Sequence, residues 1–222
     1  MTDRVLLTSK AASLVAFLAA AYVAAQMMAD IASLRLIEIA GWTTDGGTLI
    51  YPLTFTIRDL VHKVAGKRVA RTLIFTAAGI NVLMAGLFWL VANLPSTPDA
   101  GATTELFGQV LAPVWRIVAA SIVAEVIAEL IDTEVYSAWV SRFAKRHQWG
   151  RVLASNGVAI PVDSFLFAVL AFAGTVPLGI VWEIAFTNIV IKVAVTVLSI
   201  PLIYLVKPGR VVAAGAEEPI PA

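Results

Sequence analysis

The sequence predicts an all-α fold, a polytopic membrane protein with six transmembrane helices of which the second is short or irregular. Three observations predict it. Of 222 residues, 59% are hydrophobic and 14% are charged, where a soluble domain carries roughly 25% charge. The mean hydropathy is +0.87, and the apolar residues fall in runs of about the 20 residues that cross a hydrocarbon core. Between those runs basic residues gather at alternate connections, as they do when Lys and Arg are retained on the cytoplasmic side. Cysteine is absent, which excludes disulfides, thiolate metal sites and cysteine nucleophiles. A net charge of +1 argues against nucleic acid as a partner.

The first predicted span, Ala11–Leu34, follows Arg4 and Lys10. That start imitates a secretory signal, but the apolar run outlasts the ~7–15 residues of a signal core and reads as a membrane helix. The second, Thr48–Ala65, is the weak one, opened by TDGG and Tyr51-Pro52 and interrupted by Arg58-Asp59. The third, Ala70–Leu94, rises about 37 Å at 1.5 Å per residue, enough to cross with some tilt. The fourth, Ala112–Val140, contains SIVAEVIAELIDTEVYSAWV. In the fifth, Val152–Gly174, Pro161 removes a backbone donor and invites a kink. The sixth is Ile180–Val206. Residues 1–210 thus form one membrane domain, and the short, small-residue-rich tail 211–222 is expected to be disordered.

Arg4 and Lys10 precede the first span; Lys63, Lys67, Arg68 and Arg71 surround the second connection; Arg142, Lys145, Arg146 and Arg151 fill the fourth; Lys207 and Arg210 follow the last. The first, third and fifth connections hold Arg35 alone among bases, beside Glu38, Asp45, Asp99 and Glu105. Six spans with both termini in the cytoplasm satisfy this alternation. Trp42, Trp89, Trp115, Trp149 and Trp182 fall near span ends, where an amphipathic ring favours the headgroup level.

The chemistry is concentrated in the greasy fourth span. Glu125, Glu129 and Asp132, at i, i+4 and i+7, make one acidic stripe with Ser121 a turn earlier, while Glu134 falls off it. An ionised carboxylate at bilayer depth costs at least about 2.5–3.5 kcal/mol, so the stripe implies a wet cavity or partners. Each other span carries polar groups near its midpoint: Tyr22 and Gln26, Arg58 and Asp59, Asn81, Asp163, and Asn188 with Lys192. Groups at matching depth converge on one site, and transporters bind solutes near the midplane. Asn188, Lys192, Thr196 and Ser199 form a second stripe, whose lysine requires an anion from Asp163, Asp59 or Glu129.

Blander readings compete with this one. Asn81 and Gln26 serve equally as interhelical hydrogen bonds, Arg58 pairs locally or snorkels, and Glu134 and Glu183 are solvated near span ends. His62 and His147 lie in basic connections, so neither a metal site nor a cofactor is expected. The sequence has no GK[ST] loop, HExxH or GxSxG, and nothing in it hydrolyses ATP or marks an enzyme. The spacing Ala120, Ala124, Ala128 permits close helix packing and, with it, a homodimer.

The segments YPLTFTIRDLVHKVAGKRVAR, ASIVAEVIAELIDTEVYSAWVSRF, RVLASNGVAIPVDSFLFAVLAFAG and EIAFTNIVIKVAVT resemble the VUT family of queuosine precursor transporters, six-span bacterial inner-membrane proteins. Tyr51-Pro52 through Asp59 and Gly66 are similar to the family's aromatic-Pro, Asp and Gly pattern. Glu129 and Asp132 resemble its polar residue and the Asp three positions later, Asp163 its fifth-span Asp, and Glu183, Asn188 and Lys192 its sixth-span set. Lys63, Ile160 and Val162 depart from it. The resemblance implies uptake of 7-deazaguanine bases, the 7-cyano and 7-aminomethyl precursors, with Asp59, Glu125, Glu129, Asp132, Asp163, Asn188 and Lys192 as the binding set. A membrane-embedded binding subunit of a separate ATP-driven complex, taking a nucleobase or vitamin-like solute, is the alternative reading.

Overall fold

A computed structural model of the chain describes residues 9–97, 101–143, 148–205, 210–213 and 216–219. Six long helices lie where the six apolar runs were expected: α1 (Ser9–Ala32), α2 (Tyr51–Ala65), α3 (Lys67–Asn93), α5 (Val114–Phe143), α6 (Gln148–Phe172) and α7 (Leu178–Leu205), with a short α4 (Ala102–Leu111) before α5. Among the described residues, Ala11–Ala32, Arg68–Asn93, Thr104–Ala128 and Leu178–Leu198 are long and apolar enough to cross a membrane. Helix α2 falls short of a full span, with 15 residues, about 22 Å at 1.5 Å per residue; in α6, which has 25 residues, the apolar stretch among the described side chains is Asn156–Phe172. Helix α6 continues through Pro161 as a single helix.

Between α1 and α2 the chain does something the apolar pattern does not announce. Strands β1 (Leu36–Ile39) and β2 (Trp42–Asp45) pair antiparallel, Leu36 opposite Asp45 and Ile39 opposite Trp42. Their two-residue turn, Ala40-Gly41, has positive φ at both positions, 53° and 84°, the backbone twist that matches a tight hairpin. A 3-10 turn, Gly46–Leu49, then feeds α2. A Cβ on Gly46 would stand 2.6 Å from the Ala32 carbonyl oxygen, and one on Gly47 2.5 Å from that of Ala29. The two glycines are therefore what allows this segment to press against the end of α1. In the C-terminal tail, for which the sequence predicts disorder, β3 (Arg210–Ala213) and β4 (Ala216–Pro219) pair with each other.

The helices pack in two groups. Leu18, Tyr22, Val61, Leu73, Ile74 and Ala77 join α1, α2 and α3, while Ile117, Phe167, Val181 and Ile184 are central to the cluster joining α5, α6 and α7. Met84 and Ala85 of α3 meet Val114 and Val118 of α5 and tie the groups together. Ala120, Ala124 and Ala128, the stripe read as open to a homodimer, are buried within the chain at 2%, 0% and 7% exposure. Small residues let helix backbones approach closely where lipid tails compete for every apolar contact, and here the approach is intramolecular. The outward faces are apolar instead. Leu178, Trp182, Phe186, Val190, Val193 and Val197 run down α7, all exposed, the pattern of a helix solvated by lipid rather than water.

Candidate functional site

At the centre of the bundle, Lys192 of α7 donates to Asp163 Oδ2 of α6 at 2.5 Å, both side chains being 3% exposed. Of the three anions the sequence offered for this lysine, Asp163 is in contact with it, while the side chains of Asp59 and Glu129 lie outside the described residues. The ammonium also lies 4.8 Å from the centre of the Tyr51 ring and 6.0 Å from that of Phe55, which present their faces from α2. Attraction between a cation and aromatic faces strengthens when water is excluded, so α2 helps to hold the charge that α6 neutralises.

One turn above Lys192, Asn188 organises the hairpin. Its Nδ2 donates to Asp45 Oδ2 at 3.0 Å, and the hydroxyls of Thr44 and Thr48 reach its Oδ1 at 2.7 and 2.5 Å. Asp45 further accepts from Ser33 Oγ at 2.6 Å and Thr48 Oγ1 at 2.8 Å. Strand β2 is fixed along α7 at two more points, where the Thr43 N–H donates to Glu183 at 2.8 Å and Trp42 stacks on Phe186 with centroids 5.2 Å apart. Glu183, expected to be solvated at a span end, is thus an anchor for backbone. Non-helical chain at membrane depth is tolerated only where its polar groups are satisfied by protein or line a cavity, and β2 meets both conditions.

The cavity it lines is bounded by Asp30 of α1, Asp45, Thr48, Tyr51, Ser121 of α5, Asp163, Phe167, Asn188 and Lys192. The space between these walls is about 320 Å³ including its mouth, narrow enough that little beyond a single water fits between opposing side chains. Asp30, 1% exposed, accepts from Ser121 Oγ at 2.9 Å through Oδ1. A second cavity, about 330 Å³, lies on the other side of Asp163, among Phe55, Arg58, Glu125, Ala128, Asn156, Ala159 and Ile160. Three wall helices contribute to both in register: Tyr51 then Phe55 and Arg58 on α2, Ser121 then Glu125 and Ala128 on α5, Phe167 then Ile160 and Asn156 on α6. Glu125 accepts from Tyr22 at 2.8 Å and Gln26 at 3.5 Å, both of α1.

Of the residues the sequence put forward, Asp163, Asn188 and Lys192 line the first cavity, and Glu125 lines the second with Asp163. The side chains of Asp59, Glu129, Asp132 and Glu134 lie outside the described residues. Sequence reasoning missed Asp30 and the organising role of Asp45. A carboxylate inside MMADIASL was a legible signal of the first; the second sat in what reads as an ordinary polar connection, and only the hairpin carries it inward. Among the described residues no group of three His, Cys, Asp or Glu side chains is placed to hold a metal ion.

An internal polar cavity lies between helices long and apolar enough to cross a membrane, the arrangement of a multi-pass membrane transporter. The family model described as "Putative vitamin uptake transporter" matches residues 45–206, and the chain belongs to that family. It is 28% identical, over 189 residues covering 82% of this chain and 80% of the relative, to the "Probable queuosine precursor transporter" of Bacillus subtilis (strain 168). No solved structure matches it.

Proposed function

We propose that this protein imports 7-deazaguanine precursors of queuosine, the 7-cyano and 7-aminomethyl bases, across the bacterial inner membrane as a secondary transporter. The observation that supports this best is the buried cavity in which Lys192, paired with Asp163, shares the walls with Asp30, Asp45 and Asn188. Such a lining favours a solute rich in hydrogen-bond donors. A guanine-type edge offers a ring N–H beside an exocyclic amine, which a carboxylate accepts as a pair, and its oxo group takes a proton-bearing donor such as lysine. The relative named for queuosine precursors carries the same implication for substrate class.

In this reading all six long helices cross, both termini are cytoplasmic, and Asp163, Asn188 and Lys192 belong to the binding cavity. Glu125, with Glu129 and Asp132 further along α5 and Asp59 on α2, serves the cytoplasmic half of the route. The cavity opens by movement of its walls before a base enters, since two closely spaced cavities on either side of one ion pair are suited to alternate exposure. The test is uptake of labelled 7-cyano-7-deazaguanine by liposomes containing only this purified chain. Accumulation without another protein supports the transporter. Binding without uptake would make it the binding subunit of a larger complex, and absence of both would overturn the substrate class.

A further inference from the structure

The three aspartates of the first cavity are not equivalent. Asp45 is engaged on both oxygens, receiving Ser33 on Oδ1 and Asn188 on Oδ2, with the Thr48 hydroxyl shared between Oδ2 and Asn188 Oδ1. Asp163 is turned to Lys192 through Oδ2. Asp30 takes Ser121 on Oδ1, and among the described residues no donor reaches its Oδ2 although the residue is 1% exposed. Buried polar atoms are ordinarily paired, because an orphaned one forfeits its hydration. The sequence maintains a carboxylate here, in the last turns of an apolar helix, and its unfilled acceptor faces the cavity that Tyr51 and Phe167 wall with aromatic surface.

We infer that Asp30 is the carboxylate that accepts the paired donors of the transported base. The inference rests on the functional reading above and makes it specific: the ring N–H and the exocyclic amine fall to Asp30, the oxo group to Lys192, and Asp45 is a positioning residue that holds the hairpin wall in place. Ser121 fixes the rotation of the Asp30 carboxylate so that Oδ2 and the second lone pair of Oδ1 remain for the ligand.

The experiment measures equilibrium binding of 7-cyano-7-deazaguanine and of its counterpart lacking the 2-amino group to the purified full chain. Wild type should prefer the amino compound by about 100-fold, because removing one donor leaves a buried carboxylate underfilled. Asp30→Asn should bind the amino compound at least about tenfold more weakly and should lose most of that preference, since an amide offers one acceptor and sets a donor against a donor. Asp45→Asn, a loss of positioning, should weaken both compounds alike and leave the ratio standing. Wild type that binds both equally overturns the assignment without any variant, and so does Asp30→Asn that keeps the wild-type ratio, which would leave the residue a proton carrier or a structural group. Wild type that binds neither compound overturns the substrate class itself and this inference with it.

Discussion

The two cavities that share Asp163 are nearly equal in size, about 320 and 330 Å³, but they are built from different materials. The hairpin-side cavity draws on α1, β2, the 3-10 turn, α2, α5, α6 and α7, and its polar groups are tied to one another through short side chains and backbone. Among the described residues the other draws on α2, α5 and α6, with Arg58, Glu125, Asn156 and the shared Asp163 as its polar lining. Short side chains held by several partners lose little freedom when a ligand arrives. In the function proposed above, the hairpin side recognises the solute and the far side carries it onward. An ion pair that belongs to both is where a change in one is felt by the other.

The strongest way to break the comparison is to remove what the cavities share. Lys192→Met strands Asp163 in a dry site and should cost about 3–5 kcal/mol in equilibrium unfolding in mixed micelles, with uptake abolished. The double variant Lys192→Met/Asp163→Asn should recover much of that stability but none of the transport. If the double variant is as unstable as the single one, the two charges are not coupled. Next in size is Gly47→Ala. Its Cβ would fall 2.5 Å from the Ala29 carbonyl oxygen, and overpacking of this kind costs roughly 1–3 kcal/mol. It should weaken binding of the base severalfold by displacing β2. Gly157→Ala, on the far side with nothing within 4 Å of the added carbon, should be neutral or gain up to about 1 kcal/mol from helix propensity.

Glu125→Gln sharpens the contrast more gently. The amide still accepts from Tyr22, so the expected loss is about 0.6–1.7 kcal/mol, the range of interhelical hydrogen bonds in a membrane protein. Uptake by proteoliposomes should slow while equilibrium binding at the hairpin side persists; equal losses in both would mean that the far cavity takes part in recognition. The smallest perturbation leaves function untouched and asks which side faces out. In a chain without cysteine, a cysteine placed at Ser96 should react with an impermeant reagent added to intact cells, and one at Gly215 should not. The opposite pattern would reverse the direction assigned to the two cavities.

Much of this architecture was legible in the linear order of residues. Apolar runs located the six long helices, because a segment in lipid must satisfy its backbone internally and a helix does so locally. The partner of Lys192 was narrowed to three candidate anions by the same reasoning about buried charge, and contact between α6 and α7 brings Asp163 to it. The acidic run on α5 was less transparent. Of its carboxylates Glu125 is the one whose side chain is described, and its hydrogen bonds are to α1 rather than to the lysine.

Composition and linear order were enough for the class of protein and the chemistry available to it: lipid-length apolar helices, no thiol, and acidic, amide and ammonium groups spaced along them. Hydropathy and charge are sums over residues and survive without knowledge of contacts. Which acid meets which base is a matter of distance, and distance exists only in the folded chain. Asp45 reads as a connection residue until Gly46 and Gly47 let the chain press on α1 and carry it to Asn188. Asp30 reads as one more polar residue in a span until its Oδ2 is seen buried at the cavity with no donor among the described residues.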